Sequence, residues 1–220
     1  MRFVILSILT GTLLAAEDAD VERLKRSAEV FQEIMQAPDS GVPQPLLDKS
    51  ECVVVVPGLK KGAFIIGAKY GRGFVSCRKG NVGWGAPGAV RVEGGSIGLQ
   101  IGGSETDVVM LVMNERGAKR LMNSKFTLGG DASVAAGPVG RTATAETDAY
   151  MTAEILTWSR SRGVFAGVSL SGATLRQDLD VNRKLYGKTL ENKEVVFGDT
   201  KAPAAAADLL NLLNKYSSRK

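Results

Sequence analysis

The chain opens on an apolar run. Phe3 to Leu14 is hydrophobic with small polar breaks, preceded by Arg2 and followed by Ala15-Ala16 and the acidic Glu17-Asp18. A basic start, a short apolar stretch and small residues in that order read as a signal peptide over residues 1–16, in a run too short to span a bilayer comfortably. A buried or membrane-anchoring N-terminal helix is the other reading of the same residues. From about Asp18 to Ala37, Val21, Leu24, Ala28, Phe31 and Ile34 recur at helical spacing, with Glu22, Arg23, Lys25, Arg26, Glu29 and Glu33 on the other face. Pro38-Asp39-Ser40-Gly41 ends that helix, and Leu46 to Lys49 adds a helical turn after Pro43 and Pro45.

The period then changes. Val53 to Val56 is a β-branched strand that Pro57-Gly58 closes. Ala63 to Tyr70 and Gly73 to Arg78 read as two strands joined by a hairpin at Gly71-Arg72-Gly73, and Gly88 to Val92 and Ser96 to Ile101 as two more around Glu93-Gly94-Gly95. Thr106 to Met113 is an apolar strand and Asn114 to Asn123 a short helix. Lys125 to Leu128, Ser133 to Ala136, Ala149 to Ser159 and Val164 to Leu170 continue the β pattern, with a turn at Ser161-Arg162-Gly163. Asp178 to Tyr186 is a short helix closed by Gly187. Residues 191–220 form a C-terminal extension with a small amphipathic helix around Leu209 to Leu213.

With no Ser- or Pro-rich boundary between residues 46 and 190, the expected architecture is a single α+β domain. It has a strongly curved antiparallel sheet or barrel-like body, an N-terminal helix and short peripheral helices. The length of 220 residues suits one packed domain.

The chain contains no histidine. That removes a Ser/His/Asp triad, a Cys/His pair, HExxH zinc sites and the usual neutral-pH proton shuttle. Two cysteines, Cys52 and Cys77, are too few for a Cys-rich zinc site. In an oxidising compartment they can pair, closing a loop of about 25 residues worth roughly 3 kcal/mol in the chain-entropy model, or they remain two buried thiols. Gly67 to Gly73 lacks the GxxxxGK spacing of a phosphate loop and precedes a strand. Ser76 and Lys79 match Ser-x-x-Lys at a strand end, where that spacing puts them on opposite faces. Asp178, Asp180 and Asn182 begin like a calcium loop, but Arg183 and Thr189 stand where Gly and Glu are needed, so they read as a helix start. No enzyme, cofactor or metal is expected.

The net charge is +5. Lys60, Lys61, Lys69, Arg72, Arg78 and Arg91 cluster in sequence around two turns, and Arg160 and Arg162 flank a third. Loops at one end of a sheet can gather them into a positive rim for phosphate headgroups. Scattered solvated charges are the plainer reading. The first helix is likewise either packed on the sheet or laid in a headgroup layer.

These residues carry a resemblance. Glu51-Cys52-Val53, Pro57 to Phe64, Gly71-Arg72-Gly73, Trp84 to Pro87, Gly94 to Gly103, Thr106 to Asn114, Lys125 to Gly129, Ala132 to Gly140 and Ser159 to Leu170 follow one another as in a bacterial SYLF domain. Leu185-Tyr186-Gly187 closes the match, which runs from about Ala19 to Lys188. The resemblance implies a non-catalytic, lipid-binding module of residues 18–190 with a preference for phosphoinositides and other anionic phospholipids. It points to the helix around Val21 to Ile34 and to Lys60, Lys61 and Arg72, although this helix is as acidic as it is basic. The expected partner is an anionic phospholipid membrane surface met from an exported, periplasmic or secreted location. An envelope protein partner is the alternative. Nucleic acid is not expected, and neither is actin for a chain that reads as exported.

Overall fold

The computed structural model describes residues 6–38, 41–63, 66–80, 83–97, 102–139, 152–161, 164–168 and 170–217. Its elements are α1 (Leu6–Gln36), α2 (Gln44–Lys49), β1 (Cys52–Ala63), β2 (Ile66–Cys77), β3 (Gly88–Ile97), β4 (Gly102–Val112) and α3 (Glu115–Leu121). There follow β5 (Phe126–Thr127), β6 (Val134–Ala136), β7 (Ile155–Ser161), β8 (Val164–Gly167), β9 (Thr174–Gln177), α4 (Leu179–Tyr186), α5 (Asn192–Phe197), a 3-10 turn (Ala204–Ala206) and α6 (Ala207–Tyr216).

The strands form one sheet in the order β5-β9-β3-β2-β1-β4-β7-β6, with β8 also pairing β7, and it curls into a half-barrel. The pairing is antiparallel, as the sequence led one to expect, except between β6 and β7, which run parallel. The result is a single α+β domain.

The alternation of side chains on the central strands explains two cores. Val54, Val56 and Leu59 point to one face with Val75, Val90, Val92, Met110, Phe126, Leu128 and Val195. Val53 and Val55 point to the other with Phe74, Ala89, Val109, Leu111 and Trp158, and there α1 supplies Leu24, Ala28, Phe31 and Ile34 while α6 adds Leu209 and Leu213. The unbroken Val53–Val56 run is therefore a strand covered on both sides. Leu24, Phe31 and Ile34 are fully buried, each contributing about 1.5–3 kcal/mol of transfer free energy. From Leu24 to Ile34 the first helix is a packed element, whose apolar stripe is spent on the sheet.

Three expected turns are strand interiors. Pro57-Gly58 does not end β1 but makes a bulge in it: the register shifts between Val55 and Lys60 against β2 and between Val56 and Leu59 against β4. Proline brings no N–H to the ladder, Gly58 takes φ +63°, and the Gly58 N–H donates to Asp107 Oδ1 at 2.9 Å. Gly71-Arg72-Gly73 is not a hairpin but the middle of β2. A Cβ on Gly73 would stand 2.0 Å from the Val55 carbonyl oxygen, so glycine is what lets the bulged β1 come close. Glu93-Gly94-Gly95 is likewise interior to β3.

Helix ends follow local chemistry. Asn114 caps α3 through the Gly117 N–H, Asp178 caps α4 through the Val181 N–H, and Gly187 closes α4 at φ +71°. Glu191 and Glu194 form a capping box on α5, a helix the sequence reading missed along with β9. Cys52 begins β1, Cys77 ends β2, and these partners in register are joined by a disulfide with Cα atoms 3.9 Å apart.

Candidate anion-binding surface

The eight basic residues singled out in the sequence do not form one rim. Two of them hold the fold together, three lie on the α1 face among carboxylates, two face away from α1, and Arg162 lies outside the described residues.

Arg78 is buried, 6% exposed. Its guanidinium donates to the carbonyls of Ser50 (2.8 Å), Leu47 (3.1 Å) and Ser217 (3.0 Å) and to the Ser217 hydroxyl. It stacks on the Trp84 indole. A rim role for Arg78 is corrected by this geometry: its planar fork is spent on the end of α2 and on Ser217.

Arg160 pairs with Asp107 on β4 (Nε to Oδ2, 2.9 Å) and with Glu33 on α1. Arg26 of α1 reaches Asp107 as well, at 3.6 Å. These ion pairs pin α1 to the sheet where β1 bulges. Arg160 thus joins helix to sheet and is not part of a free cationic rim. Burial, with Arg26 beside it, pulls the Arg160 guanidinium below its ordinary value.

On the α1 face, Arg72 of β2 stands in register with Arg91 of β3, and Arg91 with Arg176 of β9. Arg91 and Arg176 share Glu93, at 2.8 and 3.2 Å. Arg72 reaches the buried Asp178 at 3.2 Å and the Tyr70 hydroxyl at 2.9 Å. Burial works against its charge, but Asp178 and Tyr70 outweigh that and raise its pKa. Lys60, exposed, is the cross-strand neighbour of Tyr70 and of Glu105 on this face. Arg176 was not among the residues the sequence singled out. The alternation of Thr174-Leu175-Arg176-Gln177, with Leu175 buried, was its signal.

Lys61 and Lys69 face the other way. They are direct cross-strand partners on β1 and β2, beyond Leu59 and Gly71 toward the end of the hairpin. Among the described residues no ion pair engages Lys60, Lys61 or Lys69. The half-buried Lys61 ammonium has its pKa lowered by burial first and by the Lys69 charge second. Both effects favour the neutral amine, and an anionic neighbour would oppose them.

Among the described residues no cluster of Cys, Asp and Glu has the composition of a metal site, and no helix is long and apolar enough to cross a membrane. One open cavity of about 360 Å³ lies between α1 and the β1 bulge, lined by Arg23, Arg26, Gly58, Glu105 and Asp107. Of its charges, Arg26 and Asp107 form a helix-to-sheet ion pair, and Arg23 pairs within α1 with Asp20.

The family model described as "Ysc84: Las17-binding protein actin regulator" matches residues 93–216, more than half of the chain. The chain is similar to SH3 domain-containing YSC84-like protein 1 of Homo sapiens, 31% identical over 201 residues that make up 89% of this chain and 58% of that protein. It is 35% identical over 176 residues to SH3 domain-containing protein PJ696.02 of Schizosaccharomyces pombe, covering 79% of this chain and 41% of that one. It is 31% identical over 197 residues to Protein YSC84 of Saccharomyces cerevisiae, covering 86% and 42%. The chain thus spans about three-fifths or less of the length of these relatives. The family model and the identity to these relatives together place this chain in the Ysc84 (SYLF) family.

Proposed function

We propose that this chain is a non-catalytic module that binds anionic phospholipid at a membrane surface through the lysine-bearing end of the β1–β2 hairpin. The observation that carries the reading is that Lys60, Lys61 and Lys69 stand there outside any ion pair among the described residues, whereas Arg72, Arg91 and Arg160 are each matched to a carboxylate. Each cation near an anionic surface adds about 1 kcal/mol. The lack of histidine supports a binding role over acid–base catalysis. In this reading residues 1–16 are an export signal and the module works at the periplasmic or outer side of a membrane.

Co-sedimentation of the full chain with phosphatidylcholine vesicles, with and without phosphatidylglycerol, tests it. Binding is expected only to the anionic vesicles and is expected to weaken with salt. Equal binding to neutral vesicles, or no binding, overturns the proposal. N-terminal sequencing of the protein recovered from its host tests export, which fails if Met1 or Arg2 is retained.

A second reading is a protein-docking role, favoured by the family description, which names a Las17-binding protein and actin regulator. Tyr70, 45% exposed beside Arg72, offers a residue type enriched at such interfaces. Co-sedimentation with filamentous actin in lipid-free buffer separates the two. Actin binding that survives lipid removal favours this second reading.

A further inference from the structure

Lys61 and Lys69 are the middle of a four-strand rung. Gly94 of β3 lies opposite Lys69, and Ser104 of β4 lies opposite Lys61. Partners in register share a face, so Gly94, Lys69, Lys61 and Ser104 all stand on the side of the sheet away from α1. Neighbouring strands are about 4.8 Å apart, which brings the two lysine stems side by side. Like charges directly opposite one another destabilise a sheet, and both lysines are only partly exposed.

The usual remedy would be a carboxylate, and the strands carry Glu93, Glu105 and Asp107. By alternation all three project to the α1 face, where Glu93 holds Arg91 and Arg176 and Asp107 holds Arg160. Gly94 puts no side chain over the rung. Two residues further along β4 on the same face, Thr106 is buried, 7% exposed, and its hydroxyl has no hydrogen-bond partner among the described residues. Buried hydroxyls are rarely left so.

We propose that this rung is a seat for a single phosphate group, held between the Lys61 and Lys69 ammoniums with the Ser104 hydroxyl beside them and the Thr106 hydroxyl beneath. Each ammonium brings three donors and the phosphate oxygens accept them. The proposal rests on the lipid-binding reading only for the source of the phosphate; the seat itself would take a soluble phosphate ester equally well. It assigns no binding role to Lys60, Arg72 or Arg91, which lie on the other face.

The test uses the full chain as wild type, Lys60→Met, Lys61→Met, Lys69→Met and the Lys61→Met/Lys69→Met double variant. Two probes are titrated: phosphatidylcholine vesicles containing phosphatidylglycerol, and inositol hexakisphosphate in calorimetry. Lys61→Met and Lys69→Met are each expected to weaken binding about tenfold. The double variant is expected to lose little more than either single one, because one phosphate is lost with either lysine. Lys60→Met is expected to lose about fivefold or less, the effect of a general surface charge. Lys61→Met is also expected to melt at a higher temperature, because the repulsion is relieved; a merely structural lysine would lower it.

Inositol hexakisphosphate binding that depends on Lys61 and Lys69 supports the seat with the phosphate alone sufficient. The same dependence seen with vesicles only supports it with a lipid as the source. Equal and additive losses from all three lysines overturn the seat and leave the lipid reading standing. Hexakisphosphate binding through Lys61 and Lys69 without any vesicle binding overturns the lipid reading and leaves the seat. Binding of neither probe overturns both.

Discussion

The Arg78 guanidinium carbon lies 4.4 Å from the centroid of the Trp84 indole, and the two side chains donate together to the carbonyl oxygen of Ser217, at 3.0 and 3.1 Å. The buried cation thereby ties the segment after α2 to the end of α6. Arg78→Leu is expected to lower stability by about 2–4 kcal/mol, since it removes the buried donors that join Leu47 and Ser50 to Ser217. Arg78→Lys is expected to recover little, because an ammonium lacks the planar fork. Urea denaturation measures the loss, and hydrogen exchange is expected to rise first over residues 207–216. Unchanged stability in Arg78→Leu would refute the clamp.

The Cys52–Cys77 bridge joins two neighbouring strands already paired in register, with both residues fully buried. Its loss in Cys52→Ala/Cys77→Ala is expected to cost about 3 kcal/mol through the freed unfolded chain, with the far-ultraviolet circular dichroism of the folded state unchanged. The native bridge is expected to resist reductant until the protein unfolds, which a thiol-labelling time course with and without urea reads directly.

A Cβ on Gly137 would stand 2.1 Å from the Trp158 ring, whose indole N–H donates to the Pro138 carbonyl at 3.0 Å. Gly137→Ala is expected to displace that ring and cost about 1–3 kcal/mol by overpacking. The expected signature is a red shift and broadening of tryptophan emission with a lower melting temperature. A variant with native emission and native stability would show that the segment yields freely.

Tyr186 is partly buried, and its hydroxyl donates to the Pro87 carbonyl at 2.6 Å. Burial raises its pKa well above the ordinary tyrosine value. A group whose folded pKa is raised gives stability that is complete below its unfolded pKa, near 10, and is lost as pH climbs from there toward the folded value. Stability should therefore be indifferent to this group at neutral pH and fall in the alkaline range. Tyr186→Phe should flatten that fall while losing the hydrogen bond at every pH, a comparison that denaturation series at pH 7 and above pH 10 can make.

Local capping chemistry made α3 and α4 legible, though not α5, whose Glu191–Glu194 capping box went unread. Asn114, Asp178 and Gly187 stand at the ends of α3 and α4 within a residue or two of the boundaries their types imply, and the stripe from Leu24 to Ile34 is the buried face of α1. Strand interiors were less legible, because glycine in a strand and glycine in a turn look alike in sequence. Gly73 is there for the approach of the Val55 carbonyl, and Gly58 for a bulge whose free N–H is met by Asp107, 49 residues away. No local window holds that information.

The candidate site divides the same way. Lys61 and Lys69 were picked out by charge and proximity to turns, but so were Arg78 and Arg160, which proved to be buried or ion-paired. Arg176 was passed over although it stands on one rung with Arg72 and Arg91.

By itself the sequence determined the class of the molecule: a mixed helix-and-strand domain without histidine chemistry, basic overall, with two cysteines near one another in the chain. Those properties follow from composition and from short-range periodicity, which act within a few residues. Only the tertiary structure decided which cations have counter-charges, because an ion pair depends on which strands lie side by side and which face each residue takes. The bulge at Pro57-Gly58 shifts the register beyond it, and the alternation that follows carries Lys60 to the carboxylate-bearing face and Lys61, one residue later, to the face where its cross-strand partners are Lys69 and Ser104.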